Sequence, residues 1–530
     1  MSNDKIINNI NDAVQEVRSS LTPYEIRYLK NKNVQKYNNN LLNWIYLSSS
    51  SSHSSLYSAQ NALKEQFNIN INDVLSRDFN VKQQFWCDFE TKVTAHWENE
   101  MVESTPWTYE QVTEKKLNYC FQNSPYLKAN IKKIPHANLL SKEMIGVGHG
   151  MMSSMCRLKL QWEKPNNLLP TSVVCKLTPT GLPQRVLSRS SALLKMEYLF
   201  YGNIDTEKAN NDIGINIPKI YYLDYRDSAD RFTIIMEDLC DENGQNCQQI
   251  DQITGLTFDE TLRLIKYSGK LHKYFVRQAE TLLSPNIRTI AITDPLKKEN
   301  TVNRMKRDLP VFLNIMKSKP FFIDIENSPI AKLAKVYSLN ASDYYSYFNY
   351  TNDYFTVCHG DLRADNVMKS KDGTVIPIDL QCMKAAPGEF DIAYLLAGSM
   401  KVGDRRKYEN ELITMYFDER GYSTSYEKVL SLYHFNLFIA YGLMRFGITT
   451  LSTAMGESDR GTELNNVTLQ RFFAAVEDWD TLRTVEDAIL RVKAGKTSVP
   501  TEEECRKCLP QRKLDSLVDN INNHDAVSKM

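Results

Sequence analysis

"VCHGDLRADNVM" occupies residues 357–368, and its reading decides the fold. Val357 and Cys358 lead into a His-Gly-Asp, and Asn366 follows Asp361 by five positions before the chain turns apolar again. Such a stretch is either a polar loop between strands or a site where an acid handles a proton and an amide holds a metal. The flanks bear on the choice. "SKDGT" (370–374) reads as a turn between strands. "IPIDLQ" (376–381) then places Asp379 at the end of a short apolar run, 18 positions after Asp361. The whole segment 355–381 reads as two short strands around a loop.

Further upstream, four features stand in a fixed order. Gly146, Gly148 and Gly150 lie between two alternating, strand-like runs in "MIGVGHGMMSSMCRLKLQW" (144–162). Glycines there let backbone amides approach a phosphate without a Cβ in the way; taken alone, a plain hairpin is the preferred reading of them. Ser153 and Ser154 add hydroxyl donors. Lys176 sits inside the β-branched run "TSVVCKLTP" (171–179), and Glu197 lies on the helical run 188–204, in line with Leu193, Leu194 and Phe200. Taken singly, each charge snorkels to solvent. Taken together, a Lys176–Glu197 pair satisfies both and aims the ammonium at a nucleotide's phosphates. "RFTIIMEDL" (231–239) is a strand ending in acids, and backbone groups from Glu237 to Leu239 are placed to meet an adenine edge.

Phosphoryl transfer to a hydroxyl asks for this set. It needs an acid that orients the attacking oxygen, oxygen ligands for Mg²⁺, and a cation on the phosphates. Asp361 is the candidate acid, Asn366 and Asp379 the candidate metal ligands, and Lys176 the cation. His359 is expected to brace the loop by hydrogen bonds, since the chemistry already has its base.

The chain of 530 residues exceeds one ordinary core. Residues 1–105 read as a helical N-terminal extension that packs on the main domain or supplies a partner or dimer contact. Residues 106–239 read as a β-rich lobe with one helix, 240–500 as a mainly helical lobe with a small β insert, and 501–530 as a tail. Hydrophobic residues are 42% and charged residues 24%, and Lys+Arg and Asp+Glu are 64 each. A zero net charge argues against broad binding to nucleic acid or anionic membrane, and for a small substrate. Ten scattered cysteines fit reduced thiols in a cytosol-like compartment; Cys505 and Cys508 form the single C-x-x-C, weak as a zinc signature. The N-terminus, "MSNDKIINNINDAVQEV", has neither an apolar core nor an Arg-rich pattern, so a cytoplasmic location is expected. The final Ser528-Lys529-Met530 stands one residue from a peroxisomal address. The most apolar stretch, 432–444, is too short to span a bilayer and reads as a buried helix.

"HGDLRADNVM", with "IPIDLQCMKAAPGEFDIAYLLAGSM" after a short gap, resembles the aminoglycoside phosphotransferase and choline-kinase-like superfamily, and within it the ecdysteroid-kinase-like branch. The upstream "VVCKLTP", "MEYLFY" and "IIMEDL" resemble that branch too, so the likeness runs over about residues 110–480. It implies an α+β, bilobal protein-kinase-like fold and ATP- and Mg²⁺-dependent phosphorylation of a small-molecule hydroxyl, sterol-like or another alcohol. It also implies that Asp391 braces the catalytic loop without taking part in the chemistry. Gly360, where protein kinases carry Arg, argues against a protein substrate, and Arg363 stands where many ecdysteroid-type relatives have Trp. Two other readings compete. A choline- or ethanolamine-type kinase would want an aromatic cage, to which "DYYSYFNYTNDYF" (343–355) is a candidate contributor; the same stretch also reads as a packed helix face. A non-catalytic nucleotide-binding scaffold would be expected to lack at least one of the key residues, and all are present.

Overall fold

The computed structural model describes residues 105–146, 153–179, 188, 192–226, 231–241, 246–276, 295–317, 319, 328–348, 354–448, 459–496 and 501–504. Residues 1–104 of the expected N-terminal extension (1–105), Gly148, Gly150, Cys505, Cys508 and the C-terminal Ser-Lys-Met lie outside the described residues. The chain divides into two compact units: the first ends at residue 206 and takes back 218–246, and the second holds 207–217 and most of the chain from 247 onward.

The first unit is built on a five-stranded antiparallel sheet. Its strands are β1 (Ala137–Ile145), β2 (Ser154–Trp162), β3 (Ser172–Leu177), β4 (Ile220–Arg226) and β5 (Arg231–Glu237), in the order β1-β2-β3-β5-β4. Alternation drives it. On β2, Cys156, Leu158, Leu160 and Trp162 are buried, so every second side chain enters one core. That core is closed by α1 (Glu114–Gln122) and α2 (Pro125–Asn130), with Phe121 meeting Trp162 at 5.0 Å between ring centroids. Each such fully buried large apolar side chain contributes about 1.5–3 kcal/mol. Thr113 and Ser124 cap the two helices by accepting from Lys116 N and Leu127 N. The β-rich half was expected to hold a single helix, α3 (Leu193–Asn203). It gains α1 and α2 because their apolar residues are few and only the sheet's second face makes them a stripe. At Leu140 the edge strand β1 bulges, and that side chain is 62% exposed.

The second unit is mainly helical. It holds α4 (Phe258–Tyr274), α5 (Pro295–Lys317), α6 (Pro329–Leu339), α7 (Ala341–Phe348), α8 (Glu389–Ser399), α9 (Val402–Arg420), α10 (Tyr426–Phe446), α11 (Asp459–Asp478) and α12 (Thr481–Lys493). A full capping box of Thr257 and Glu260 starts α4. Every residue of α8 is buried, and α10 contains the apolar run 432–444 as the core helix expected of it. Tyr344 and Tyr347 of α7 pack in the core against Phe438 and Phe435, so these two members of the tyrosine-rich stretch serve packing.

The β insert is larger than the expected pair of strands. It comprises the short β6 (Gln248–Gln249), which lies beside β8, then β7 (Phe355–Cys358), β8 (Val367–Lys369), β9 (Val375–Pro377) and β10 (Lys384–Pro387). Strands of three or four residues buried on both faces carry no alternation to read, and β10, "KAAP", is defined only by its pairing with β7.

Candidate active site

In the first unit, β3 turns Lys176 away from the α1/α2 core, and α3 presents Glu197. Lys176 Nζ lies 2.7 Å from Glu197 Oε2 and 2.9 Å from Oε1, and both side chains are at most 5% exposed. A buried ammonium and carboxylate tolerate one another's desolvation only in such direct contact. Gly146, with φ +70, follows β1, and Ser153 precedes β2, so these two stand at the facing ends of paired strands. Glu237 closes β5: its N–H donates to Lys219 O (2.8 Å) and its Oε2 accepts from Lys219 N (3.1 Å). Leu239 is buried.

The anchoring in this region comes from two acids, Asp238 of the strand-ending "MEDL" and Asp241, which no sequence motif marks. Asp238 accepts from Arg157 Nε (2.7 Å) and Nη2 (3.3 Å) and from Ser172 Oγ (2.5 Å). Asp241 takes Lys159 Nζ (3.2 Å) and Thr171 Oγ1 (2.9 Å). The connector after β5 is thus tied to β2 and to the start of β3. The carboxylate of Asp238 in turn raises the Arg157 pKa. The signal for this tie is a basic residue at alternate positions of β2, Arg157 and Lys159, set against two acids after β5.

In the second unit, β7 delivers the His-Gly-Asp loop. Gly360 adopts φ +84, and a Cβ there would meet Cys382 O at 2.0 Å, so only glycine fits. Asp391, in the first turn of α8, accepts His359 N–H at 2.6 Å and Gly360 N–H at 2.9 Å, the bracing position expected of it. Burial works to raise its pKa, but the contact to His272 Nε2 (3.2 Å), the nearby His359 and the Gly360 N–H hold it below the usual value. His359 Nε2 donates to Ile378 O (3.0 Å), which leaves Nδ1 as the acceptor for Asp361 N–H (3.4 Å). Both ring nitrogens are spent on backbone, as a brace requires.

Asp361 and Asn366 are brought together. Asn366 Nδ2 donates to Asp361 O (2.9 Å) and to Asp361 Oδ2 (3.0 Å). Arg363 Nε stands 3.5 Å from Asp361 Oδ2, and its Nη1 3.1 Å from Asp365. Burial works to lower the Arg363 pKa, and these acids, with Asp379 beyond them, raise it on balance. Asn366 and Asp379 share one end of a hairpin: Val367 pairs with Pro377, and Ile378 N–H donates to Asn366 O (2.9 Å). Asp379 sits in the left-handed region at φ +67, and its Oδ2 accepts Gln381 Nε2 (3.0 Å). With its amide hydrogens spent on Asp361, Asn366 offers its carbonyl oxygen. That oxygen and the Asp379 carboxylate are the hard donors a Mg²⁺ ion takes, so the residues fit the metal.

His272, Cys358 and Asp391 also bring their ligand atoms within 4.8 Å of one another. His272 and Asp391 are hydrogen-bonded to each other, and Cys358 lies beside them. Both Asp391 oxygens are occupied by backbone N–H groups, and Cys358 Sγ donates to Ala386 O and Pro387 O while burial pushes its pKa up. His272 escapes sequence reading because it lies on the apolar face of α4, where it looks like core.

Among solved structures, the chain is similar to aminoglycoside 2'-phosphotransferase-IIIa, at 15% identity over 66% of this chain and 97% of that one, with a TM-score of 0.36. It is similar to a choline kinase from Cryptosporidium parvum Iowa II, at 13% identity over 71% and 97% (TM-score 0.37). A Plasmodium vivax ethanolamine kinase matches at 12% identity over 81% and 97% (TM-score 0.35). No curated protein matches the chain. The model of the ecdysteroid kinase-like family matches residues 147–420, just over half of the sequence. Lys176, Glu197, Asp361, Asn366, Asp379 and Asp391 all fall inside that span. The chain belongs to the ecdysteroid kinase-like family.

Proposed function

We propose that the protein transfers the terminal phosphoryl group of ATP, with Mg²⁺, to a hydroxyl of a small molecule, a sterol or another alcohol. The observation that carries the reading is the grip of Asn366 on Asp361, at the end of the hairpin that also carries Asp379. It sets a fixed carboxylate beside two hard oxygen donors, which is the arrangement an in-line transfer needs. Asp361 orients the acceptor hydroxyl and takes its proton as the oxygen bonds to phosphorus. Asn366 and Asp379 hold the cation, which when bound neutralises phosphate oxygens. Lys176, aimed by Glu197, supplies a positive charge to the phosphates, and Gly146, Ser153 and the backbone of Glu237 to Leu239 line the nucleotide's path. The cysteines of the described residues stand as thiols, which supports a reducing, cytoplasmic setting. No helix of the described residues is long and apolar enough to cross a membrane.

The test is ADP release by the purified full chain against a panel of alcohols, sterols and amino alcohols. Acceptor-dependent ADP release that Asp379→Asn abolishes, with an unchanged circular-dichroism spectrum and melting curve, is the expected result. Near-normal turnover of Asp379→Asn at saturating Mg²⁺ overturns the metal assignment. Nucleotide binding without any turnover would favour a scaffold, and a response confined to choline or ethanolamine would move the acceptor class.

A further inference from the structure

Behind the His-Gly-Asp loop runs an unbroken line of polar groups, buried except for the half-buried Tyr422. Asp391 receives the loop's two N–H groups and faces His272 Nε2 at 3.2 Å. His272 Nδ1 lies 2.9 Å from Tyr416 Oη, Tyr416 Oη 3.2 Å from Tyr422 Oη, and Tyr422 Oη 2.7 Å from Glu389 Oε1. His272, Tyr416, Glu389 and Asp391 are almost fully buried. The line is closely confined: a Cβ on Gly388 would fall 2.2 Å from Tyr416 Oη and 2.6 Å from His272 Nδ1.

Each link in this line holds one proton, so the direction of one bond sets all the others. Asp391 accepts two backbone N–H groups and must be ionised, so the nitrogen facing it, His272 Nε2, carries the hydrogen. Burial lowers the His272 pKa, so the ring is neutral and Nδ1 is an acceptor. Tyr416 must then donate to His272, and Tyr422 to Tyr416. Tyr422 has one hydrogen for two neighbours: when it goes to Tyr416, the 2.7 Å contact to Glu389 Oε1 is a hydrogen bond only with Glu389 as the donor, whereas an ionised Glu389 would draw that hydrogen to itself and leave the 3.2 Å contact to Tyr416 unfilled. The unpartnered Oε2 of Glu389 fits as well, since a neutral acid tolerates a bare buried carbonyl oxygen where a carboxylate does not.

We propose that Glu389, held as the neutral acid, is a positioning residue: it is the terminal donor of a chain through Tyr422, Tyr416 and His272 that fixes Asp391 on the His-Gly-Asp loop. The effect on turnover rests on the phosphotransferase reading; the proton order does not. The charged and titratable groups facing Glu389 and the chain are Tyr422 from the turn after α9, Tyr416 and Arg420 from α9, His272 and Tyr267 from α4, Cys358 and Lys384 from the β7–β10 pair, His359 from the loop, and Asp391 from α8. Arg420 favours the carboxylate, yet its guanidinium lies over the Tyr422 ring at 4.9 Å and gives Glu389 no hydrogen bond. Burial outweighs the Tyr422 contact, the residue's own N–H and Arg420, all of which favour the carboxylate, and pushes the Glu389 pKa up to about 7. Above that pH Glu389 loses its proton, and the chain must either leave two acceptors face to face or turn His272 to its other tautomer. Either way the Asp391 brace is weakened.

The experiment is the pH profile of turnover for the wild type, Glu389→Gln and Tyr422→Phe. Wild-type turnover should fall on the alkaline side, by about tenfold per pH unit above the Glu389 titration. Glu389→Gln donates from its amide at every pH and should keep its plateau. Tyr422→Phe disconnects the acid from His272 and should also lose the alkaline limb. A role in packing alone predicts a lower rate at all pH values, with the limb unmoved. An unaltered limb in Glu389→Gln, or a flat wild-type profile, overturns the proposal. Histidine ¹⁵N spectra decide it independently of activity: His272 should carry its proton on Nε2 at pH 6 and, in Glu389→Gln, at pH 8.5 too. A Nδ1-protonated His272 at pH 6 overturns the proton order. Missing turnover at every pH, with the expected tautomer, counts against the phosphotransferase reading alone.

Discussion

Asp361 is fixed from two sides, by the Asn366 amide and by the Arg363 guanidinium. Its carboxylate is therefore directed before any acceptor arrives, and removal should affect chemistry more than binding. Asp361→Ala is expected to lower kcat by about 10²–10⁴ while the KM for ATP hardly moves; equal losses in both would make it a metal ligand. Gly360 is the harsher position. Its φ of +84 and the 2.0 Å approach of Cys382 O leave no room for a methyl group. Gly360→Ala should cost about 3 kcal/mol or more, read as a lowered urea midpoint, and a wild-type midpoint would show that the loop can move aside. These residues were legible in the sequence because one short hairpin holds them. Asn366 and Asp379 flank paired strands, so local spacing already fixes their neighbourhood. His272, Tyr416 and Tyr422 were not legible. The partners of His272 lie 119 and 144 positions away, and nothing local marks a histidine on an apolar helix face as a link in a chain.

At the scale of elements, the Lys176–Glu197 pair joins a strand to a helix through a dry contact. Removing one partner strands the other charge. Lys176→Met should therefore destabilise by about 3–5 kcal/mol, and Lys176→Met with Glu197→Leu by clearly less than the two single changes together. Additive losses in a thermal-melt double-mutant cycle would mean that the two charges act independently. This pair was readable because each charge interrupts a strongly apolar element and invites a partner. The helices α1 and α2 were not readable, since their apolar faces are defined only by the sheet they cover. The strand β10 likewise exists by its pairing with β7 and has no pattern of its own.

Across the whole molecule, 64 basic and 64 acidic side chains cancel, and the isoelectric point is near 7.1. Some of this charge is committed to ion pairs within the fold. Arg405, for example, is buried between Glu409 and Asp478, and Arg406 holds the same Asp478 at 2.8 Å. A protein with little net field should be least soluble near neutral pH and gain solubility with moderate salt. Precipitation curves from pH 5 to 9 check this, and a minimum far from neutrality would point to a strongly one-signed surface. The same balance predicts no retention on heparin at about 0.15 M salt, where screening leaves only dense basic patches to bind.

The bulge at Leu140 has a consequence for how the protein behaves among its own copies. Among the described residues β1 forms an edge of the sheet, nine residues long, and a straight edge of that length is a template on which another chain could grow. The extra residue breaks the two-residue repeat, so an incoming strand that matches 141–145 is out of step at 137–139. Lys142 is also drawn inward, to the carbonyls of Tyr109 and Val112. The irregularity thus protects the molecule against fibril growth when it is crowded, at the cost of one leucine left in water.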